Sequence, residues 1–285
     1  MSCRILSLAA VALVLCALPR ELAAQYDECR PGSGSNEAKT LALFSVPLTF
    51  SQAAAPGRPG GITFGIEAAN VPTVDPTTAT PTICRPGKGP ENTDLLAGIA
   101  RPRIGVPLPL GLALEASWIP PVRVNGVKAN VIGLAVARSM ILTPRMTAGI
   151  RAHATLGEIH APVTCDQQAL GDPASECFHG HVSDDRLSPN IFGLDASLGW
   201  KLAGGRLLPY AGTGYSRLQP RFQVNFTNQF GSTDHTEVEV DLNRFALFGG
   251  AGWQVTPLLA VTGEIYAVPA DAVTGRLVIR QTLGI

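Results

Sequence analysis

The chain has 285 residues, 46% hydrophobic and only 15% charged, with basic and acidic residues in balance. That balance argues against a nucleic-acid partner, which would want a basic face. No segment past the N-terminus is long and apolar enough for a membrane helix; Val131 to Leu142 comes nearest and carries Arg138. So much apolar surface must therefore line a core or face lipid from strands.

In chain order, residues 1–24 read as a secretory signal peptide. Arg4 precedes an apolar run from Ile5 to Leu18, Pro19 breaks it, and Ala23-Ala24 marks the cleavage site. The run is too short to span a bilayer, and Leu15 before Cys16 makes a poor lipid-attachment site. Cleavage leaves Cys29, Cys84, Cys165 and Cys177. In an oxidising compartment these suggest two disulfides, with Cys165–Cys177 the favoured local pair. The remaining pair, Cys29–Cys84, would require the N-terminal segment to thread the lumen, which is in tension with a simple ten-strand topology.

Residues 25–60 are expected to form an N-terminal periplasmic or lumen-plugging segment. Phe44, Val46, Leu48 and Phe50 alternate as in a strand, but Asn36 as N-cap and Pro47 as terminator would also suit a short helix. From residue 61 onward the pattern is period-2 alternation, which sends successive side chains to opposite faces. Ten strands are predicted: 62–69, 94–104, 111–118, 129–142, 145–157, 191–201, 207–226, 236–252, 258–267 and 273–285.

The clearest is 145–157, where Met146, Ala148, Ile150, Ala152 and Ala154 oppose Arg145, Thr147, Arg151, His153 and Thr155. In 207–226, Leu208, Tyr210 and Leu218 are read as the apolar face, opposite Tyr215 and Arg217. That strand is longer than a bilayer needs, so its end should project from the membrane. In 236–252 the apolar parity shifts between Val238–Leu242 and Phe245–Trp253, which predicts a β-bulge near Asn243-Arg244. Short turns alternate with longer polar connections at 70–93, 119–129, 158–188 and 227–235, a transmembrane-barrel signature.

These features resemble bacterial outer-membrane β-barrel proteins over roughly residues 60–285: an export signal, alternating strands, and a last strand ending at the final residue. Ile285 departs from the aromatic residue usual there. The resemblance implies an all-β fold, a transmembrane antiparallel up-and-down β-barrel of about ten strands over 61–285, in the outer membrane and in contact with its lipid. Trp118, Trp200, Tyr210 and Trp253 lie near strand ends, where interfacial aromatics belong. The opposite reading is a soluble periplasmic barrel or sandwich with the apolar face turned inward.

For a membrane barrel the expected lumen lining is Glu67, Glu115, Arg145, Arg151, His153, Asp195, Lys201, Arg217, Glu264, Arg276 and Arg280. Charges of both signs there suggest a neutralising ion-pair network ahead of a selectivity lining. The 177–185 stretch, with Cys177, His179, His181, Asp184 and Asp185, has metal-like residues but too few firm ligands. Histidines 153, 160 and 235 could serve a rim-located barrel enzyme, yet no nucleophile motif accompanies them. No cofactor is called for. The expected role is structural, a narrow pore, or passage of a small solute or hydrophobic ligand. A rim enzyme and a partner-binding loop surface are the alternatives.

Overall fold

The computed structural model describes residues 28–57 and 60–284; the signal-peptide region and Ile285 lie outside them. Ten long strands are present: β1 (Gly61–Asn70), β2 (Gly98–Pro107), β3 (Leu112–Ile119), β4 (Val127–Thr143), β5 (Met146–Ala161), β6 (Ile191–Trp200), β7 (Leu207–Leu218), β8 (Leu242–Gln254), β9 (Leu259–Val268) and β10 (Ala272–Gly284). Each pairs antiparallel with the next, and β10 pairs with β1 to close the barrel. Closure removes the sheet edges that lipid could not satisfy.

The faces are those of a wall standing in lipid. Ile66, Leu114, Ile132, Leu134, Val136, Ile150, Leu194, Ile265 and Leu277 project outward and are exposed, while Glu67, Arg151, Asp195, Glu264 and Arg276 point inward and are buried. Trp118, Trp200 and Trp253 sit on the outer face near the strand ends.

Strand β7 has the opposite phase to the one predicted. Tyr210 and Leu218 are buried inside, 3% and 2% exposed, and Tyr215 faces out at 55%. The inward side between them carries Gly212, Gly214 and Ser216, so the apolar contrast that sets the phase is weak there. The predicted bulge in 236–252 is absent, since Leu218↔Leu242 through Leu207↔Trp253 pair in one unbroken register. Val238, Val240 and Leu242 point inward on the same parity as Ala246 and Phe248. They look inward because the mouth of the barrel holds a hydrophobic core.

That core is supplied by the N-terminal segment. Helix α1 (Asn36–Leu48) is capped by Ser35, whose Oγ accepts from the Ala38 N–H, rather than by Asn36. Pro47 falls in its last turn and the helix ends at Leu48. Ala38, Leu41, Ala42 and Leu48 pack on Ile119, Val131, Ile191, Leu218, Val240 and Leu242. Beyond α1, residues 49–57 run irregularly down the lumen, with Ala53 at a φ of 46°, to the short-turn end, where the Pro56 and Gly57 carbonyls accept from Thr147 and Ser139. A side chain at Gly133 would run into the Phe50 ring, and at Gly149 or Gly199 into Pro56, so these strand glycines give the plug its room.

Both disulfides are formed, Cys29–Cys84 and Cys165–Cys177. Cys84 lies in the first long loop, so the N-terminal segment starts at the long-loop end and threads the barrel before joining β1. The pairing and the ten-strand topology are compatible for that reason. Above the mouth one side of the wall continues upward. Asp185–Ser188, Arg221–Gln223 and Glu237–Glu239 extend it, with Glu28–Cys29 as a parallel edge.

Candidate functional site

At the waist of the barrel, Glu67 is 1% exposed and receives Arg101 at 2.6 Å, Arg103 at 2.6 Å and Arg276 at 3.2 Å. These three and two further arginines hold the plug by its carbonyls, which have no ladder of their own. Arg101 donates to the Leu48 and Thr49 oxygens, Arg103 to Ser51 and Gln52, Arg276 to Val46 and Thr49, Arg151 to Phe50, and Arg280 to Ala53. The Phe50 ring lies under three guanidinium groups, Arg103 at 4.5 Å, Arg151 at 4.6 Å and Arg101 at 5.4 Å. Glu115 and Asp195 pair with Arg151, each at 3.3 Å. Glu264 accepts from the Ala53 N–H and the Tyr210 hydroxyl.

Of the expected lumen residues, Glu67, Glu115, Arg151, His153, Asp195, Glu264, Arg276 and Arg280 are thus gathered around the plug. Arg145 and Lys201 are corrections: both lie exposed at short turns, where the chain reverses. Arg217 is a third, exposed on the outer face because β7 has the inverted phase. Arg101 and Arg103 were missed, although their spacing of two across Pro102 carried the signal.

The histidines do not form one site. The His153 side chain is sealed in the lumen 3.5 Å from Asp195, and His160 stands at the long-loop end beside Asp184 at 3.2 Å. His235 lies in the connection between β7 and β8. In the 177–185 stretch, Cys177 is tied to Cys165 and His179 stacks on Phe178. The Asp185 carboxylate accepts from the Thr164 N–H, the Ser183 hydroxyl and the Asn225 N–H. Among the described residues, no group of three or more such side chains is placed to hold a metal ion.

The cavity lies above the plug. A chamber of about 140 Å³ sits between α1, the barrel mouth and the first long loop. Leu41, Phe44 and Leu48 of α1 face Ile99, Val127, Ile159, Ala161 and Leu187 of the wall, with Leu95, Leu96 and Phe222 beside them. Its polar lining includes Arg85, Glu91 and Asp185.

Arg85 is buried and ties three loops together, pairing with Glu91, with Glu176 and, at 3.5 Å, with Asp234. Glu37 of α1 anchors the first loop by accepting from the N–H groups of Thr82, Ile83 and Cys84. Burial works against its charge, yet these donors hold the carboxyl below its ordinary range.

A closed wall, apolar outside and charged inside, decides the architecture. The chain folds as an outer-membrane-type β-barrel. No described protein family and no curated protein matches its sequence. Among solved structures it is similar to the Ail attachment invasion locus protein of Yersinia pestis. That pair has 7% identity, 78% of this chain and 97% of that one covered, and a TM-score of 0.32. It is also similar to the outer membrane protease OmpT of Escherichia coli, at 11% identity, 78% and 94% coverage and a TM-score of 0.39. The toluene transporter TodX of Pseudomonas putida aligns at 13% identity, 85% and 71% coverage and a TM-score of 0.30. At these identities the likeness is one of fold alone.

Burial pushes the Glu91 carboxyl up to about 7 against the pull of Arg85, and Asp185 adds to the rise. A carboxyl raised on folding keeps its proton in the folded loop after the unfolded chain has lost it. Its contribution is therefore best below the ordinary carboxyl range and is lost as pH rises toward about 7. Opening of the first loop should accordingly become easier between about pH 4.5 and 7, by up to about 3 kcal/mol. Amide exchange of residues 79–92 measures it, and Glu91→Gln should flatten the dependence.

Proposed function

We propose that this protein is an outer-membrane barrel that captures a small apolar molecule in the chamber at its long-loop end. The observation that carries the reading is the chamber: about 140 Å³ and lined mainly by aliphatic and aromatic side chains. A space of that size takes a single aromatic ring, as an engineered cavity of roughly 150 Å³ does. The outward apolar belt supports residence in the outer membrane, with the long loops outside. The plugged lumen argues against a straight aqueous path and favours binding at the mouth. The lumen charges then serve to hold the plug rather than to select solutes.

The test uses fluorobenzene and the full mature chain in nanodiscs, followed by 19F NMR. A saturable bound signal of one equivalent is expected, and Leu96→Trp, which fills the chamber from a loop, should abolish it. Unsaturable partitioning, equal in wild type and variant, would overturn the reading.

A further inference from the structure

We infer that the short-turn rim beneath β5, β6 and β7 is a binding site for anionic phospholipid headgroups of the periplasmic leaflet.

The charges of the chain are sorted along the barrel axis. Among the described residues, the acids of the membrane-spanning wall are Glu67, Glu115, Asp195 and Glu264, and all four point into the lumen. The other acids stand on α1 at the mouth or in and beside the long loops. The short-turn rim is left with no described acidic side chain. It carries Arg145, Lys201 and Arg206, all exposed, and Arg138 faces outward on β4 opposite Leu112, the first residue of β3. None of these four forms an ion pair among the described residues. A chain of zero formal net charge thus presents one end whose charge is wholly positive.

The same rim is apolar at its tips. Leu110 of the β2–β3 turn is 82% exposed and Ile141, beside the β4–β5 turn, is 71% exposed; Leu202, Val255 and Leu258 are exposed as well. Apolar side chains gathered at one end of a molecule mark a contact surface. Apolar and basic groups together, without acids, suit the headgroup layer of an anionic leaflet.

Two tryptophans fix the depth. Trp200 pairs across the ladder with Met146, next to Arg145, and the Lys201 N–H donates to the Arg145 carbonyl at 2.8 Å. Trp253 pairs with Leu207, next to Arg206, whose carbonyl accepts from the Gln254 N–H at 2.8 Å. Both indoles face outward. Outward indoles settle at headgroup level, so the three turn cations lie there too, where lipid phosphates are the available anions. Arg138 suits the same leaflet, because a long stem lets a guanidinium on the lipid face reach the headgroups. The site is one-sided, since the β2–β3 and β8–β9 turns carry no charge. At the opposite rim, Trp118 has neighbours of both signs. Arg123 stands 3.8 Å from Asp184 and Arg186 3.2 Å from Glu158, with Lys128 beside them.

The test uses the tryptophans as local probes, since the chain has only these three. The full mature chain is placed in phosphatidylcholine vesicles, and quenching by dibrominated phosphatidylglycerol is compared with quenching by dibrominated phosphatidylcholine. Trp118→Phe leaves the two indoles of the short-turn rim; Trp200→Phe with Trp253→Phe leaves the one at the other rim. A preference for the anionic lipid of about fivefold is expected at the short-turn rim, the effect of one basic residue near a membrane surface. It should be at least halved at Trp118, and about 1 M salt should remove it. Arg145→Gln, Lys201→Gln and Arg206→Gln together should also abolish it, and all three sites are exposed turn positions. Equal quenching by the two lipids at the short-turn rim, or a preference that survives the triple substitution, would overturn the site. So would an equal preference at Trp118, which would be a property of the whole barrel. Inorganic phosphate should weaken the preference no more than sodium chloride of the same ionic strength. A stronger effect would mean that the rim takes a free phosphate, and the lipid assignment would fall.

Discussion

Replacing Glu67 by glutamine should lower the stability of the barrel by about 3–5 kcal/mol, the usual cost of removing one member of a buried charge network. Glu67 is the shared acceptor of Arg101, Arg103 and Arg276. The substitution keeps the shape of the side chain and removes only its charge, leaving three guanidinium groups without their common counter-ion. Those groups also hold the plug, through the carbonyls of Val46, Leu48, Thr49, Ser51 and Gln52. The loss should therefore appear in two places. Urea unfolding from lipid vesicles should give the global figure, and amide exchange of residues 46–53 should quicken beyond it. A global loss under about 1 kcal/mol would mean that water solvates the arginines and that the lumen is hydrated rather than packed.

The strands were legible because lipid outside and charge inside impose one contrast along most of the wall. Met146 to Leu156 shows it cleanly. The contrast fails where the lumen itself turns apolar. Leu218, Val238, Val240 and Leu242 point inward to meet α1, and no periodicity in those strands announces a helix drawn from a distant part of the chain. Tyr210 points inward for a different reason, since its hydroxyl bonds to Glu264 at 2.9 Å. Alternation records apolar character and cannot record a polar handle on an aromatic ring. The plug was half-legible. Cys29 and Cys84 required threading, but only the arginine-to-carbonyl bonds determine what fills the lumen. The chamber was not legible at all. Leu41, Ile99, Val127 and Ile159 come from separate elements, and each reads alone as an ordinary core residue.

Removing the plug should convert a silent barrel into an anion-preferring channel. The ten strands close through their own ladders, whereas residues 36–57 share no ladder with the wall and are held by its side chains and by the helix core. A chain lacking residues 25–57, with Cys84→Ser to avoid a stray thiol, keeps every wall pairing apart from the short Glu28–Cys29 edge. Its lumen would expose Arg101, Arg103, Arg151, Arg276 and Arg280 against Glu67, Glu115, Asp195 and Glu264. That is an excess of one positive charge at neutral pH with His153 uncharged. In planar bilayers the full chain should show no steps, because Phe50 is fully buried among those arginines. The shortened chain should show discrete steps, with a reversal potential in a salt gradient on the anion side. Arg151→Glu in the shortened background should move that potential toward cations, since it changes the lumen by two charges. Steps in the full chain of the same size as in the shortened one would mean that the plug does not seat. In that case the arginines would be lining a pore rather than gripping a peptide.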